Sequence, residues 1–80
     1  MREQANGNKD GPVYDLYGVL VHKGQSVNYG HYLAYVKHKG NQWIRINDEM
    51  CTPVAPHTVL EEEAYLLFYS RRVVRTESLL

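Results

Sequence analysis

Eighty residues make one domain at most, and a chain of this size buries only about 60% of its unfolded surface, so its core is thin. Nine basic side chains balance nine acidic ones, leaving no net field to attract nucleic acid or an anionic membrane surface. No apolar run approaches the roughly 20 residues that span a bilayer, the amino terminus lacks the apolar segment of a secretory signal, and the single Cys51 excludes an intrachain disulfide or a multi-cysteine zinc site within these residues.

These features predict an intracellular protein, cytoplasmic or nuclear, without metal or cofactor. Residues 1–12 are polar and glycine-rich with no period and are expected to form a flexible lead-in. Tyr14-Asp15-Leu16-Tyr17-Gly18-Val19-Leu20-Val21-His22 is dense in aromatic and β-branched residues and predicts a strand covered on both faces, with Gly18 marking a bulge or a close backbone approach. Residues 23–30 break that pattern with two glycines and short polar side chains, which predicts a loop directly before His31.

Two extended runs follow, Tyr29-Gly30-His31-Tyr32-Leu33-Ala34-Tyr35-Val36 and Trp43-Ile44-Arg45-Ile46-Asn47-Asp48, joined by a Lys37-His38-Lys39-Gly40-Asn41 turn. An antiparallel hairpin sets the start of its first strand beside the end of its second, so His31 is expected to face Asn47 and Asp48. That is the arrangement of a general base and the group that orients it: an imidazole takes a proton productively when its other nitrogen is held by a carboxylate or amide oxygen. The bland alternative is ordinary turn chemistry at a strand end. No nucleophile stands with the pair.

Beyond the hairpin, Met50-Cys51-Thr52-Pro53-Val54 predicts a short edge strand, since Pro53 lacks the N–H that an inner strand needs. Cys51 at an alternating strand position is expected to be a small buried hydrophobe. A short helix capped by Thr58 is expected over residues 55–63, its glutamates suited to a helix N-terminus. Ala64-Tyr65-Leu66-Leu67-Phe68-Tyr69-Ser70 is apolar on both faces and predicts a central strand. The tail from residue 72 has no clear period. His22, His38 and His57 have no ligand-like company and are expected to be solvated or turn histidines.

Taken in order, Tyr14-Asp15-Leu16-Tyr17, Gly30-His31-Tyr32 with Ala34-Tyr35-Val36, Trp43 with Asn47-Asp48, and Ala64-Tyr65-Leu66-Leu67-Phe68-Tyr69 resemble the carboxy-terminal part of the catalytic domain of ubiquitin-specific proteases. The resemblance covers roughly residues 13–71. It implies a mainly β piece of a papain-like cysteine protease domain that is α+β as a whole: an antiparallel sheet of about five strands with one short helix. It implies His31 as the base for a cysteine nucleophile, Asp48 or Asn47 as its orienting partner, and Tyr29, Gly30 and Tyr32 beside the channel for the ubiquitin tail. The family's nucleophilic cysteine lies far upstream in a separate box, and Cys51 does not match it. The expected partners are therefore ubiquitin, ubiquitinated proteins and a missing amino-terminal part of the domain. Two rivals stand beside this reading. One is a non-catalytic ubiquitin-binding or assembly module on the same sheet. The other is an unrelated small β-domain that recognises a peptide or nucleic acid through its seven tyrosines, the latter disfavoured by neutral charge. Ser78-Leu79-Leu80 would also pass as a carboxy-terminal peptide ligand.

Overall fold

The computed structural model describes residues 1–5, 11–24 and 30–72. Six strands form one antiparallel sheet: β1 (Gln4–Ala5), β2 (Tyr14–Lys23), β3 (His31–Lys37), β4 (Trp43–Asn47), β5 (Met50–Val54) and β6 (Leu66–Arg71), with the helix α1 (Pro56–Leu60) between the last two. The sheet is built around β2. One edge of β2 pairs with β3 from Gly18 to Lys23, the other pairs with β6 from Tyr14 to Leu20, and β4 and β5 continue outward from β3. The five longer strands are those expected. The sixth, β1, lies inside the stretch expected to be a loop: Gln4 and Ala5 pair with Asp15 and Tyr14, and the Leu16 amide donates to the Glu3 carbonyl at 2.7 Å. Residues 6–10 and the Ser78-Leu79-Leu80 motif lie outside the described residues.

A bulge decides which residues of β2 face inward. Between Leu16 and Gly18 the pairing with β6 advances two residues on β2 but one on β6, from Tyr69 to Phe68, so Tyr17 is the extra residue. In an unbulged strand Leu16 would share a face with Gly18 and Leu20; with the bulge it joins Val19 and Val21. These three, with Tyr35 and Trp43 of the same face and Val59 of α1, are the buried core, and Leu33, Val54, Leu60 and Tyr69 pack against them. The sequence expectation of a bulge at Gly18 is met one residue earlier. A Cβ on Gly18 would reach only ordinary contact with Phe68.

The helix lies over this face, with Val59 fully buried beneath it. Burying one such aliphatic side chain is worth about 1.5–3 kcal/mol, so α1 holds on chiefly through a single anchor. Its start differs from expectation: Pro56 occupies the first turn, Ala55 is the N-cap without a side-chain hydrogen bond, and Thr58 lies within the helix. Proline's fixed φ and missing N–H suit the first helical position, and that signal outweighs a threonine hydroxyl two residues later.

The opposite face has no cover among the described residues. Register places Leu20, His22, Tyr32, Ala34, Val36, Ile44, Ile46, Leu66 and Phe68 there, and Tyr32, Val36, Leu66 and Phe68 are exposed. Among the described residues, the run through β6, expected to be a central strand, pairs only with β2 and forms the outer edge of the sheet. Its two-sided apolar character is real, but among the described residues no strand pairs with its outer side. Cys51 is likewise exposed rather than buried, because its register partner Ile46 belongs to this open face.

Candidate functional site

His31 and Asn47 meet on the covered face. His31 begins β3 and shares a face with Leu33 and Tyr35; Asn47 ends β4 and shares one with Arg45 and Trp43. The hairpin between them closes as expected, with the His38 amide donating to the Gln42 carbonyl at 2.7 Å and Gly40 taking a left-handed φ of 65°. It brings His31 Nε2 to 2.5 Å from Oδ1 of Asn47, 16 positions further along the chain, in a partly buried setting. An amide oxygen only accepts, so Nε2 donates, and the ring's lone pair stands on Nδ1. The pair is a tautomer-fixed imidazole with one basic nitrogen turned away from its partner.

Asp48 follows Asn47 in the turn to β5, is exposed, and has a φ of 54°, a left-handed conformation that Asp tolerates better than most residues. Of the two residues open as the partner of His31, Asn47 is the one in contact. Across β2, the residue opposite His31 is Lys23, whose Nζ stands 3.2 Å from Glu62 Oε2 just after α1. The cation nearest the imidazole in register is thus matched by a carboxylate. The lysine is half-exposed, so the pair contributes at most about 1 kcal/mol.

Gly30 is required by this chain's own packing. A Cβ there would lie 2.4 Å from the Lys23 carbonyl oxygen and 2.7 Å from His22 Nε2, and backbone cannot move aside. Gly30 is pressed against β2. Tyr32, the next residue, is exposed, contrary to the commoner core role of a sheet aromatic, and its ring packs 4.6 Å from that of His22. Tyr65 completes the group, 5.9 Å from Tyr32 and 6.2 Å from His22. His22 is therefore a strand residue in an aromatic cluster and not a solvated one; its register opposite Tyr32 was the available signal. His38 and His57 are exposed, the first at the turn and the second on α1. Tyr29 lies outside the described residues.

Cys51 occupies the face opposite His31, since its partner Ile46 alternates with Asn47. Strand geometry thus directs its thiol away from the imidazole. Among the described residues, no group of three or more His, Cys, Asp or Glu side chains is placed to hold a metal ion, and no helix is long and apolar enough to cross a membrane.

The chain matches the family model described as ubiquitin carboxyl-terminal hydrolase over residues 1–69. It is 44% identical over 73 residues to ubiquitin carboxyl-terminal hydrolase 8 of Saccharomyces cerevisiae, covering 91% of this chain and 15% of the yeast protein. Ubiquitin carboxyl-terminal hydrolase 3 of Mus musculus is 42% identical over 73 residues, with 91% and 14% covered. Among solved structures, the Ubp8-Sgf11-Sgf73-Sus1 SAGA DUB module superposes with a TM-score of 0.73 at 47% identity, covering 80% of this chain and 15% of that one. The same module has been solved with monoubiquitin bound. The chain spans about one-seventh of the length of the relatives it matches.

Proposed function

The chain belongs to the ubiquitin carboxyl-terminal hydrolase family, and from that premise we propose that it is the base-bearing part of a deubiquitinating cysteine protease whose nucleophile comes from outside these residues. The observation that carries the reading is the His31–Asn47 hydrogen bond, a base with its tautomer fixed on the covered face of the sheet. The small share of each relative's length that the chain spans supports a separate origin for the cysteine. The open apolar face supports it too, because a sheet apolar on both sides needs cover on both.

In this reading Nδ1 of His31 takes the proton of the cysteine thiol, while Asn47 holds the ring through Nε2. The thiolate adds to the carbonyl carbon of ubiquitin's last glycine, and the imidazolium returns its proton to the departing lysine amine. Water then cleaves the thioester, with His31 accepting the water's proton and the cysteine sulfur leaving. Tyr32 and Gly30 border the path of the ubiquitin tail, and the setting is cytoplasmic or nuclear. Asp48, in the turn and exposed, serves less directly than Asn47.

The test uses the chain joined to an amino-terminal portion that carries a cysteine box. His31→Ala is expected to lower kcat on a ubiquitin–fluorophore substrate by about 10²–10⁴-fold with KM little changed, and Asn47→Ala to cost more than Asp48→Ala. Wild-type turnover in the His31 variant refutes the assignment. Ubiquitin binding without any turnover in the joined wild type would favour a non-catalytic binding module on the same sheet.

A further inference from the structure

We infer that His22 is a positioning residue for His31, holding the strand entry from the rear face so that the imidazole in front meets Asn47. The inference rests on the reading of His31 as the base. His22 and Tyr32 are register partners on β2 and β3, and both lie on the open face, whereas Lys23 and His31, the next register pair, lie on the covered one. The His22 ring packs against Tyr32 at 4.6 Å and is backed by Tyr65, whose amide donates to the Leu20 carbonyl at 2.7 Å and so ties the third ring to β2.

The edge of the His22 ring that carries Nε2 is turned toward Gly30. A Cβ at Gly30 would stand 2.7 Å from Nε2 and 2.9 Å from Cε1, so the glycine's own backbone rests directly on the ring. Nε2 is buried and has no hydrogen-bond partner among the described residues. A buried polar nitrogen without a partner is costly, and an apolar ring of similar shape would avoid that cost. What this ring supplies is volume in one place: it fills the space that a side chain at residue 30 would otherwise claim, and Tyr32 clamps the following residue to the same ring. Residues 30 and 32 are thus held from behind. Residue 31 has little freedom left, and its side chain projects forward to Asn47 Oδ1.

The readout is the His31 ring itself, followed by nitrogen NMR of the histidine side chains in the 80-residue chain. The wild type is expected to show His31 as a single tautomer with its proton on Nε2. His22→Ala is expected to lose that signature and give the averaged pattern of an unheld imidazole, while His38→Ala, at the exposed turn, leaves it intact. If His22→Ala also loses the amide dispersion of a folded chain, Tyr65→Leu decides by the same signal, since it loosens the His22 ring from its solvent side without touching the buried core. A fixed His31 tautomer that survives these substitutions overturns the inference and leaves the proposed function standing. A wild-type ring with no preferred tautomer overturns the His31–Asn47 pairing, and the inference with it.

Discussion

Both faces of this sheet carry large apolar side chains, and they are unequally served in structure. On one, α1 covers Leu16, Val19, Val21, Tyr35 and Trp43, and the polar pair His31 and Asn47 sits at the margin of that cover. On the other, Tyr17, Tyr32, Val36, Leu66 and Phe68 remain exposed. Isolated exposed apolar side chains are normal, but a run of them along one face marks a surface built to be covered. The contrast teaches that strand patterning records what a strand is meant to touch, whether or not the same chain supplies it.

The sharpest way to break the comparison is to cut each face in turn. Trp43 is fully buried on the covered face, and Trp43→Ala is expected to cost about 3–5 kcal/mol, enough to abolish a cooperative thermal transition in a chain with so thin a core. A transition that survives with an unchanged midpoint would mean that the covered face is not where stability resides.

The corresponding cut on the open face is Leu66→Thr with Phe68→Thr, two β-tolerant replacements on the outer strand. Stability is expected to change by no more than about 0.5 kcal/mol per site. Self-association at micromolar concentration and binding of a hydrophobic dye should both fall, as measured by sedimentation and fluorescence. A wild-type chain that sediments as a monodisperse monomer and binds no dye would show that the open face is already closed.

The smallest expected effect lies at the rim, where Arg72 grips Asp15 through two hydrogen bonds of 2.7 and 3.1 Å. The hydrogen bond from Arg72 holds the Asp15 carboxyl below its ordinary value of 3.8, with the guanidinium charge adding to it. A depressed folded pKa gives stability that is fully present above the unfolded value and is lost as pH falls through the folded one. The acid limb of a stability profile, below about pH 3.8, should therefore be slightly shallower in Arg72→Ala, and salt should erase the difference because the pair is exposed. An unchanged acid limb at low salt would show that the ion pair contributes nothing.

Much of this architecture was legible from residues alone, and the failures have physical causes. The hairpin from His31 to Asn47 followed from two alternating runs around a Gly40 turn, and the edge position of β5 followed from Pro53. The strand through Leu66 and Phe68 departs from expectation because two-sided apolarity implies two neighbours, and among the described residues β2 is its one pairing partner. Cys51 departs from expectation for the same reason, its face being one that none of the described residues covers. The α1 start was misread because Thr58 offered a hydroxyl, while Pro56 carried the stronger backbone signal. Asn47 and Asp48 were inseparable in sequence, since only the register of β4 determines which one leaves the strand.

The extra residue at Tyr17 carries one more consequence. It works as a phase slip: on its amino-terminal side β2 counts inward residues on one parity and on its carboxy-terminal side on the other, so both halves present large aliphatic groups to the same interior. Deleting Tyr17 would remove the bulge and leave both halves on their faces, whereas pairing it in regular alternation would keep every residue of the chain and yet turn half of the strand inside out. Val19 and Val21 would exchange faces with Leu20 and His22, and Lys23 would leave the side on which His31 stands. The alignment of His31 with the interior is thus set by a count made about fourteen residues earlier in the chain, at Tyr17, whose ring lies 6.2 Å from that of Phe68.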